Sequence, residues 1–137
     1  MDIREKMKLF YDNPVTSWHE HVSALPGNPD KLNIGHCDAQ LEIAAMFGVD
    51  KLVTSMPIAS DKHCPPEKFI QANEVVRQAT ELHPGKIFGM AFVNPGFIRE
   101  TLTEVERCVK HYGFVGVKLY HQYFMDDPTM FPLIEKC

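Results

Sequence analysis

Four short apolar runs rich in β-forming residues recur along the chain, and a stretch with helical periodicity follows each of them. The runs are predicted to be strands over Val15–Val22, Leu52–Ile58, Lys86–Val93 and Phe114–Tyr120. Single helices between successive strands favour parallel pairing, because a parallel neighbour is reached only through a crossover connection. The alternation therefore predicts an α/β fold built from repeated βα units.

The spacing of apolar residues also predicts the helices, and proline or glycine marks several of their ends. Helices are expected over about Gly35–Phe47, from Pro65 to His83, over Ile98–Tyr112 and over Thr129–Cys137. Glycine follows the first and third helices, and proline occupies the first turn of the second. These features are typical of helix boundaries, so the order of elements is well defined.

Two architectures satisfy this order of elements. One is a small doubly wound open sheet, which 137 residues can complete. The other is the first half of a (β/α)₈ barrel, a fold that takes about 250 residues in full. Chain length favours the open sheet, but the chain ends at a helix with no following strand, as a partial barrel would. Both alternatives stay open on this argument.

Composition narrows the class of function. Fourteen basic and 18 acidic residues give a net charge of −4, and the basic residues are scattered, so neither nucleic acid nor an anionic membrane is an expected partner. A signal peptide and a long apolar segment are both missing from the sequence, which predicts a cytoplasmic protein. The four cysteines are far apart and are expected to be reduced thiols. A small molecule is the expected partner.

The sharpest motif is His19-Glu20-His21, near the carboxyl end of the first predicted strand. Side chains alternate along a strand, so the two imidazoles share one face at roughly 6–7 Å spacing, close enough to bind one metal ion. The spacing alone is weak evidence, because chance often places two of seven histidines this way. Ligands in parallel α/β folds bind at the carboxyl ends of strands, so His19 and His21 are predicted metal ligands. Incidental strand histidines are the alternative.

Further polar residues fall at the same predicted edge and are candidate pocket residues: Asn94, Lys118 and His121. Strand parity places Lys118 on the face opposite Val117, which is the inside of a barrel. There a lysine would bind an anionic substrate, have a lowered pKa or, if carboxylated, bridge two metals; its alternative is a head group in solvent. Asn94-Pro95 is also consistent with a simple turn. No catalytic residue is assigned.

In combination, these motifs resemble the amidohydrolase-related family of metal-dependent hydrolases and decarboxylases. The resemblance spans most of the chain and rests on the H-x-H strand, Gly48-Val49-Asp50-Lys51, Ala72-Asn73-Glu74, His83-Pro84-Gly85-Lys86, Val93-Asn94-Pro95 and Gly113–Leu119. One position departs from the family pattern: Ser17 stands two residues before the first histidine, where the family often has an aspartate.

The resemblance implies that residues 1–137 are a single partial domain, the N-terminal portion of a (β/α)₈ barrel. It also implies a divalent metal, usually zinc, held in part by His19 and His21, which activates water or polarises a carbonyl of a small organic substrate. The activity implied is that of a hydrolase or of a lyase such as a decarboxylase. A non-catalytic α/β binding or regulatory domain remains the alternative.

The number of ligands limits what this chain is expected to do alone. Catalytic zinc takes three protein ligands and a water, and the family's later ligands have no counterpart here. The isolated chain is therefore expected to bind metal weakly and to be inactive. Unpaired barrel strands would expose apolar surface, so self-association as a homo-oligomer is also expected.

Overall fold

The computed structural model describes residues 14–58, 63–120 and 122–137. Its strands are β1 (Val15–His21), β2 (Ala24–Leu25), β3 (Asn28–Leu32), β4 (Val49–Ser55), β5 (Ile87–Phe92) and β6 (Gly116–Lys118). Its helices are α1 (Ile34–Met46), α2 (Pro66–Leu82), α3 (Ile98–Tyr112) and α4 (Phe131–Lys136), with short 3₁₀ turns at Pro95–Phe97 and Pro128–Met130. Within the described ranges, no helix combines the length and apolarity needed to cross a bilayer.

Strand order decides between the two architectures. The main sheet has the order β1-β4-β5-β6, so its strands follow one another in chain order, and every neighbouring pair is parallel. Right-handed crossovers between consecutive adjacent strands place all connecting helices on the same face. A doubly wound sheet instead reverses its strand order and carries helices on both faces. The open-sheet alternative is therefore wrong, and the sheet is a curled half barrel with the topology of the first four strands of a (β/α)₈ fold.

The core lies between the helices and the outer face of this sheet. Helix α2 is amphipathic, and its buried stripe includes Phe69, Ala72 and Val76, all fully shielded from solvent. On the sheet, Ile87 and Ala91 belong to the same buried cluster. Burial of a large side chain contributes about 1.5–3 kcal/mol, so this seam is a main source of stability.

A polar lock joins α2 to the sheet beside this core. The Asn73 side chain accepts a hydrogen bond from the Phe92 backbone N–H at 2.8 Å and donates to the Phe92 carbonyl at 3.0 Å. Its amide also donates to the Glu104 carboxylate on α3 at 2.9 Å. Both Asn73 and Glu104 are buried, so each polar group finds its partner inside the protein rather than in water. The lock fixes the carboxyl end of β5 against both helices.

Two glycines are required by geometry. Gly113 ends α3 in the left-handed conformation, with φ of 68°, which a residue with a side chain adopts at a cost. Gly89 lies under the Phe114 ring, and a Cβ at that position would be 2.5 Å from the ring. The absence of a side chain at Gly89 thus lets the strand β5 and the start of the β6 segment pack closely.

The structure adds one hairpin to the predicted elements and shifts several of their ends. The fourth predicted strand, Phe114–Tyr120, is reduced to Gly116–Lys118. The hairpin formed by β2 and β3 is an addition between the first strand and the first helix, with Gly27 at φ 79° in its turn. Its second strand, Asn-Pro-Asp-Lys-Leu, is mostly polar and contains proline, so it carries no strand signal. Strand β4 also starts at Val49 rather than Leu52, because Val49 and Lys51 pair with β1.

Candidate metal and substrate site

The candidate site lies on the inner face of the sheet, at the carboxyl ends of β1 and β6. These are the two outermost strands, and three strand spacings, or about 14 Å, would separate their backbones in a flat sheet. Nevertheless, Lys118 Nζ on β6 lies 3.0 Å from His19 Nε2 on β1. The inward curl of the sheet and two long side chains close this distance, so the concave face gathers the polar residues.

Strand β1 carries an irregularity next to the histidines. Ser17 pairs with Leu52 and Glu20 with Thr54, so three steps along β1 match two along β4. A bulge of this kind redirects side chains and is frequent beside functional sites. The imidazoles of His19 and His21 end up side by side, with ring centroids 5.0 Å apart and ring planes at 86°. The H-x-H motif therefore presents both rings together.

His21 is held in place by the neighbouring strand. Its Nδ1 lies 3.2 Å from the Ser55 hydroxyl, and Ser55 is its register partner at the end of β4. Burial lowers the pKa of His21 from its ordinary value, and electrostatic repulsion from the neighbouring His19 and Lys118 lowers it further. In the neutral tautomer whose Nδ1–H donates to Ser55, Nε2 carries the free lone pair. His21 is thus suited to donate a lone pair to a cation.

Lys118 and His19 form the opposite half of the site. An ammonium group has no lone pair, so a charged Lys118 donates its hydrogen bond to His19 Nε2, and the imidazole proton then resides on Nδ1. Lys118 Nζ also lies 5.6 Å from the centre of the Tyr120 ring, within the range of a cation–π interaction. These contacts hold a positive charge beside the two imidazoles.

Asn94 follows β5, but its side chain is used to order a loop. Its amide donates to the Cys64 carbonyl at 2.9 Å, and its side-chain oxygen accepts from the Gly96 N–H at 3.1 Å. The residue is fully buried, and its backbone carbonyl accepts from the Thr101 hydroxyl. These contacts show that Asn94 stabilises the turn that begins at Pro95, as the turn interpretation of Asn94-Pro95 expects. The pocket contact predicted for Asn94 stays a prediction.

The structure brings together three of the five candidate residues: His19, His21 and Lys118. His121 lies outside the described residues, so its predicted role is a prediction still. Sequence analysis missed Ser55, whose signal was its place at the end of a neighbouring strand opposite His21. Strand parity would have identified Ser55 only in combination with the parallel register of β1 and β4, which the sequence does not provide.

The two histidines supply part of the ligand set of a divalent metal. Two adjacent neutral imidazoles are suitable ligands for zinc or manganese, but they are fewer than a catalytic site needs. In the described part of the chain, no three His, Cys, Asp or Glu side chains cluster in a way that would hold a metal. His19 and His21 therefore fit a metal as a partial ligand pair, and Lys118 competes for one of the two nitrogens.

No protein-family model and no curated protein matches the sequence. Solved structures do match the fold. A Staphylococcus aureus protein assigned as an amidohydrolase superposes with a TM-score of 0.72 at 17% identity, over 90% of this chain and 44% of its own. A dihydroxybenzoic acid decarboxylase from Polaromonas, solved with bound manganese and the inhibitor 2-nitroresorcinol, gives 0.69 at 18% identity, over 90% and 46%.

A third similar structure has more sequence in common with this chain. The 4-oxalomesaconate hydratase from Rhodopseudomonas palustris gives a TM-score of 0.59 at 28% identity, over 72% of this chain and 33% of its own. The chain thus spans a third to a half of the length of these proteins. Its four parallel strands superpose on only part of each longer neighbour, which confirms the resemblance seen in the sequence. The chain has the fold of the N-terminal half of an amidohydrolase-related barrel.

Proposed function

We propose that His19, His21 and Lys118 form the metal-binding and substrate-binding wall of a metal-dependent hydrolase or lyase of the amidohydrolase type. The observation that carries this proposal is their convergence on one concave face at the carboxyl ends of the strands. That edge is where (β/α)₈ enzymes place their catalytic residues. The manganese bound by the similar decarboxylase supports a divalent metal.

The roles of the side chains follow from their contacts. His19 and His21 would each supply one imidazole nitrogen to the metal, and Ser55 would keep the His21 ring oriented through its Nδ1. A bound divalent metal supplies Lewis acidity, which lowers the pKa of water or polarises a substrate carbonyl. Zinc is the metal that the family resemblance implies, and manganese, which the similar decarboxylase binds, is the alternative.

Lys118 is proposed to bind a negatively charged group of the substrate. Lys118 as a residue is half-buried, and its ammonium lies on the concave face beside the histidines, where it would pair with a carboxylate. Two of the similar proteins are named for carboxylic acids, dihydroxybenzoic acid and 4-oxalomesaconate. A small organic acid is therefore the substrate class that this wall fits.

Metal binding by the chain itself tests the proposal. Isothermal titration with Zn²⁺ and with Mn²⁺ should show weak binding, and His19→Ala or His21→Ala should each reduce the affinity by about tenfold. His111→Ala is the matched control, because His111 is exposed on α3, away from the site, and its removal should leave binding unchanged. Equal effects of all three substitutions, or no effect of any, would favour a non-catalytic domain.

A further inference from the structure

The bulge in β1 decides which of its side chains reach the concave face. Ser17 and Glu20 both line the groove between β1 and α1, on the outer face of the sheet. An odd number of steps separates the two residues, so a regular strand would place their side chains on opposite faces. The extra residue of the bulge removes this conflict, because three steps along β1 match two along β4.

The two imidazoles depend on this irregularity. Ser17 is the register partner of Leu52, and His21 is the partner of Ser55, whose hydroxyl its ring contacts. If the pairing of Ser17 were kept and the strand were regular, both His19 and His21 would turn to the outer face. The bulge must therefore stay between Ser17 and Glu20 for the histidines to face the inside of the sheet.

One hydrogen bond spans the bulge. The Ser17 hydroxyl donates to the Glu20 carboxylate, with 2.6 Å between the two oxygens. Both residues are half-buried, and a hydrogen bond to an ionised acceptor is about twice as strong as one between neutral groups. Because its donor and acceptor lie at the two ends of the irregular segment, this bond fixes the segment in its bulged form.

A second contact anchors the strand just beyond the bulge. Gln40 on α1 donates from its side-chain amide to the backbone carbonyl of His21 at 2.9 Å. The next residue, Val22, donates its backbone N–H to the Ser55 carbonyl at 3.1 Å. The end of β1 is thus tied both to the helix and to the neighbouring strand, so the His21 backbone has a fixed position.

We propose that Ser17, Glu20 and Gln40 are positioning residues that hold the bulge of β1 and so keep both imidazoles on the concave face. All three side chains line the outer groove, so they act through the backbone and not by contact with a metal or a substrate. The inference concerns the geometry of His19 and His21. Only its consequence for metal affinity rests on the proposed function.

The ring protons of the histidines report this geometry without metal. Long-range ¹H–¹⁵N NMR spectra of the chain in EDTA at pH 8, where imidazoles are mostly neutral, distinguish the two tautomers. In the wild type, His21 should carry its proton on Nδ1, towards Ser55. His19 should also carry its proton on Nδ1, because its Nε2 accepts from Lys118.

Variants of the clamp should change these tautomers in a set pattern. Glu20→Ala and Ser17→Ala should each reduce the Nδ1–H fraction of both rings by about half, because the rings leave their partners. Glu20→Gln keeps an oxygen that accepts from the Ser17 hydroxyl, so it should restore most of this loss. Gln40→Ala should act in the same direction on His21. Glu42→Ala is the matched control, because Glu42 is exposed on α1 outside the groove.

Metal affinity separates this proposal from the proposed function. Glu20→Ala should weaken Zn²⁺ binding by about tenfold, and Glu20→Gln by about twofold at most. Changed tautomers in a chain whose wild type binds no metal would support the positioning role and overturn the proposed function. Metal binding by the wild type, with tautomers and affinity unchanged in Glu20→Ala and Ser17→Ala, would overturn the positioning role alone. Equal damage from Glu20→Gln and Glu20→Ala would also overturn it, because the charge would then matter and not the hydrogen bond.

Discussion

Lys118 Nζ and His19 Nε2 lie 3.0 Å apart, although the two residues are 99 positions apart in the sequence. The contact joins the first and last strands of the parallel sheet across its concave face. It also places a positive charge against a nitrogen that a metal ion would use. The interaction thus reports both the curl of the fold and the electrostatics of the candidate site.

Removing the lysine charge should strengthen metal binding. Lys118→Met frees His19 Nε2 and removes a cation beside the imidazoles, so the affinity for Zn²⁺ or Mn²⁺ should rise by about fivefold, on the order of 1 kcal/mol. The same variant should lose binding of small carboxylates. Lys51→Met is the control, because Lys51 is an exposed lysine near the other end of the strands, beside Phe88. Weaker metal binding by Lys118→Met would show that the amine assists the metal.

Loss of the Asn73 lock should destabilise the fold. Asn73→Ala leaves the backbone N–H and C=O of Phe92 without their partner inside the protein, and Glu104 loses a donor. The free energy of unfolding should fall by about 2–4 kcal/mol in urea titrations. Gln71→Ala, which removes an exposed hydrogen bond to Asp30, should change it by less than about 0.5 kcal/mol. Equal costs for the two substitutions would contradict a structural role for the lock.

Only one thiol should react rapidly. Cys137 is exposed, whereas Cys37, Cys64 and Cys108 are buried. Burial raises the pKa of Cys108 and of Cys37, so their reactive thiolate forms are suppressed at neutral pH. A chromogenic disulfide reagent at pH 8 should titrate a single fast thiol, which Cys137→Ser removes, and all four after unfolding. More than one fast thiol in the native chain would show that the buried cysteines are accessible.

Acid should weaken the contacts between α2 and α3. The hydrogen bond from Arg77 lowers the pKa of Glu74 below its ordinary 4.5, and Tyr112 and Arg107 act in the same direction. A lowered folded-state pKa means that Glu74 stabilises the fold fully above about pH 4.5 and loses this contribution as pH falls through the folded value. Urea midpoints measured between pH 6 and pH 3 should therefore fall less steeply in Glu74→Gln than in the wild type. A parallel fall in both, with Glu135→Gln as an exposed control, would contradict this role.

The sequence was sufficient to predict the repeating strands and helices but not their arrangement in one curled parallel sheet. Apolar periodicity located α3 at Ile98–Tyr112 in full, because helix boundaries depend on local residues such as Gly113. Chain length, in contrast, favoured an open sheet, because strand order is set by long-range pairing that no local pattern records. The hairpin of β2 and β3 was missed because β3 is mostly polar and, among the described residues, pairs only with β2.

The candidate site was predictable in part for the same reason. Strand parity placed His19 and His21 on one face. The resemblance to a barrel family identified that face as the inside of a barrel and the two histidines as metal ligands. The contact between His19 and Lys118 depends on the curl of the whole sheet, and the orientation of His21 by Ser55 depends on the register of two strands. Neither follows from residues that are adjacent in sequence.

Binding of Mn²⁺ followed by NMR tests the central claim most directly, because the paramagnetic ion broadens the signals of nuclei near it. We expect broadening of the backbone signals of His19, His21, Ser55 and Lys118 at the carboxyl ends of the strands. Signals of Val49 and Ile87, at the opposite ends, should stay sharp. Broadening centred instead on the acidic side chains of α1, or spread evenly over the chain, would contradict a metal site at His19 and His21.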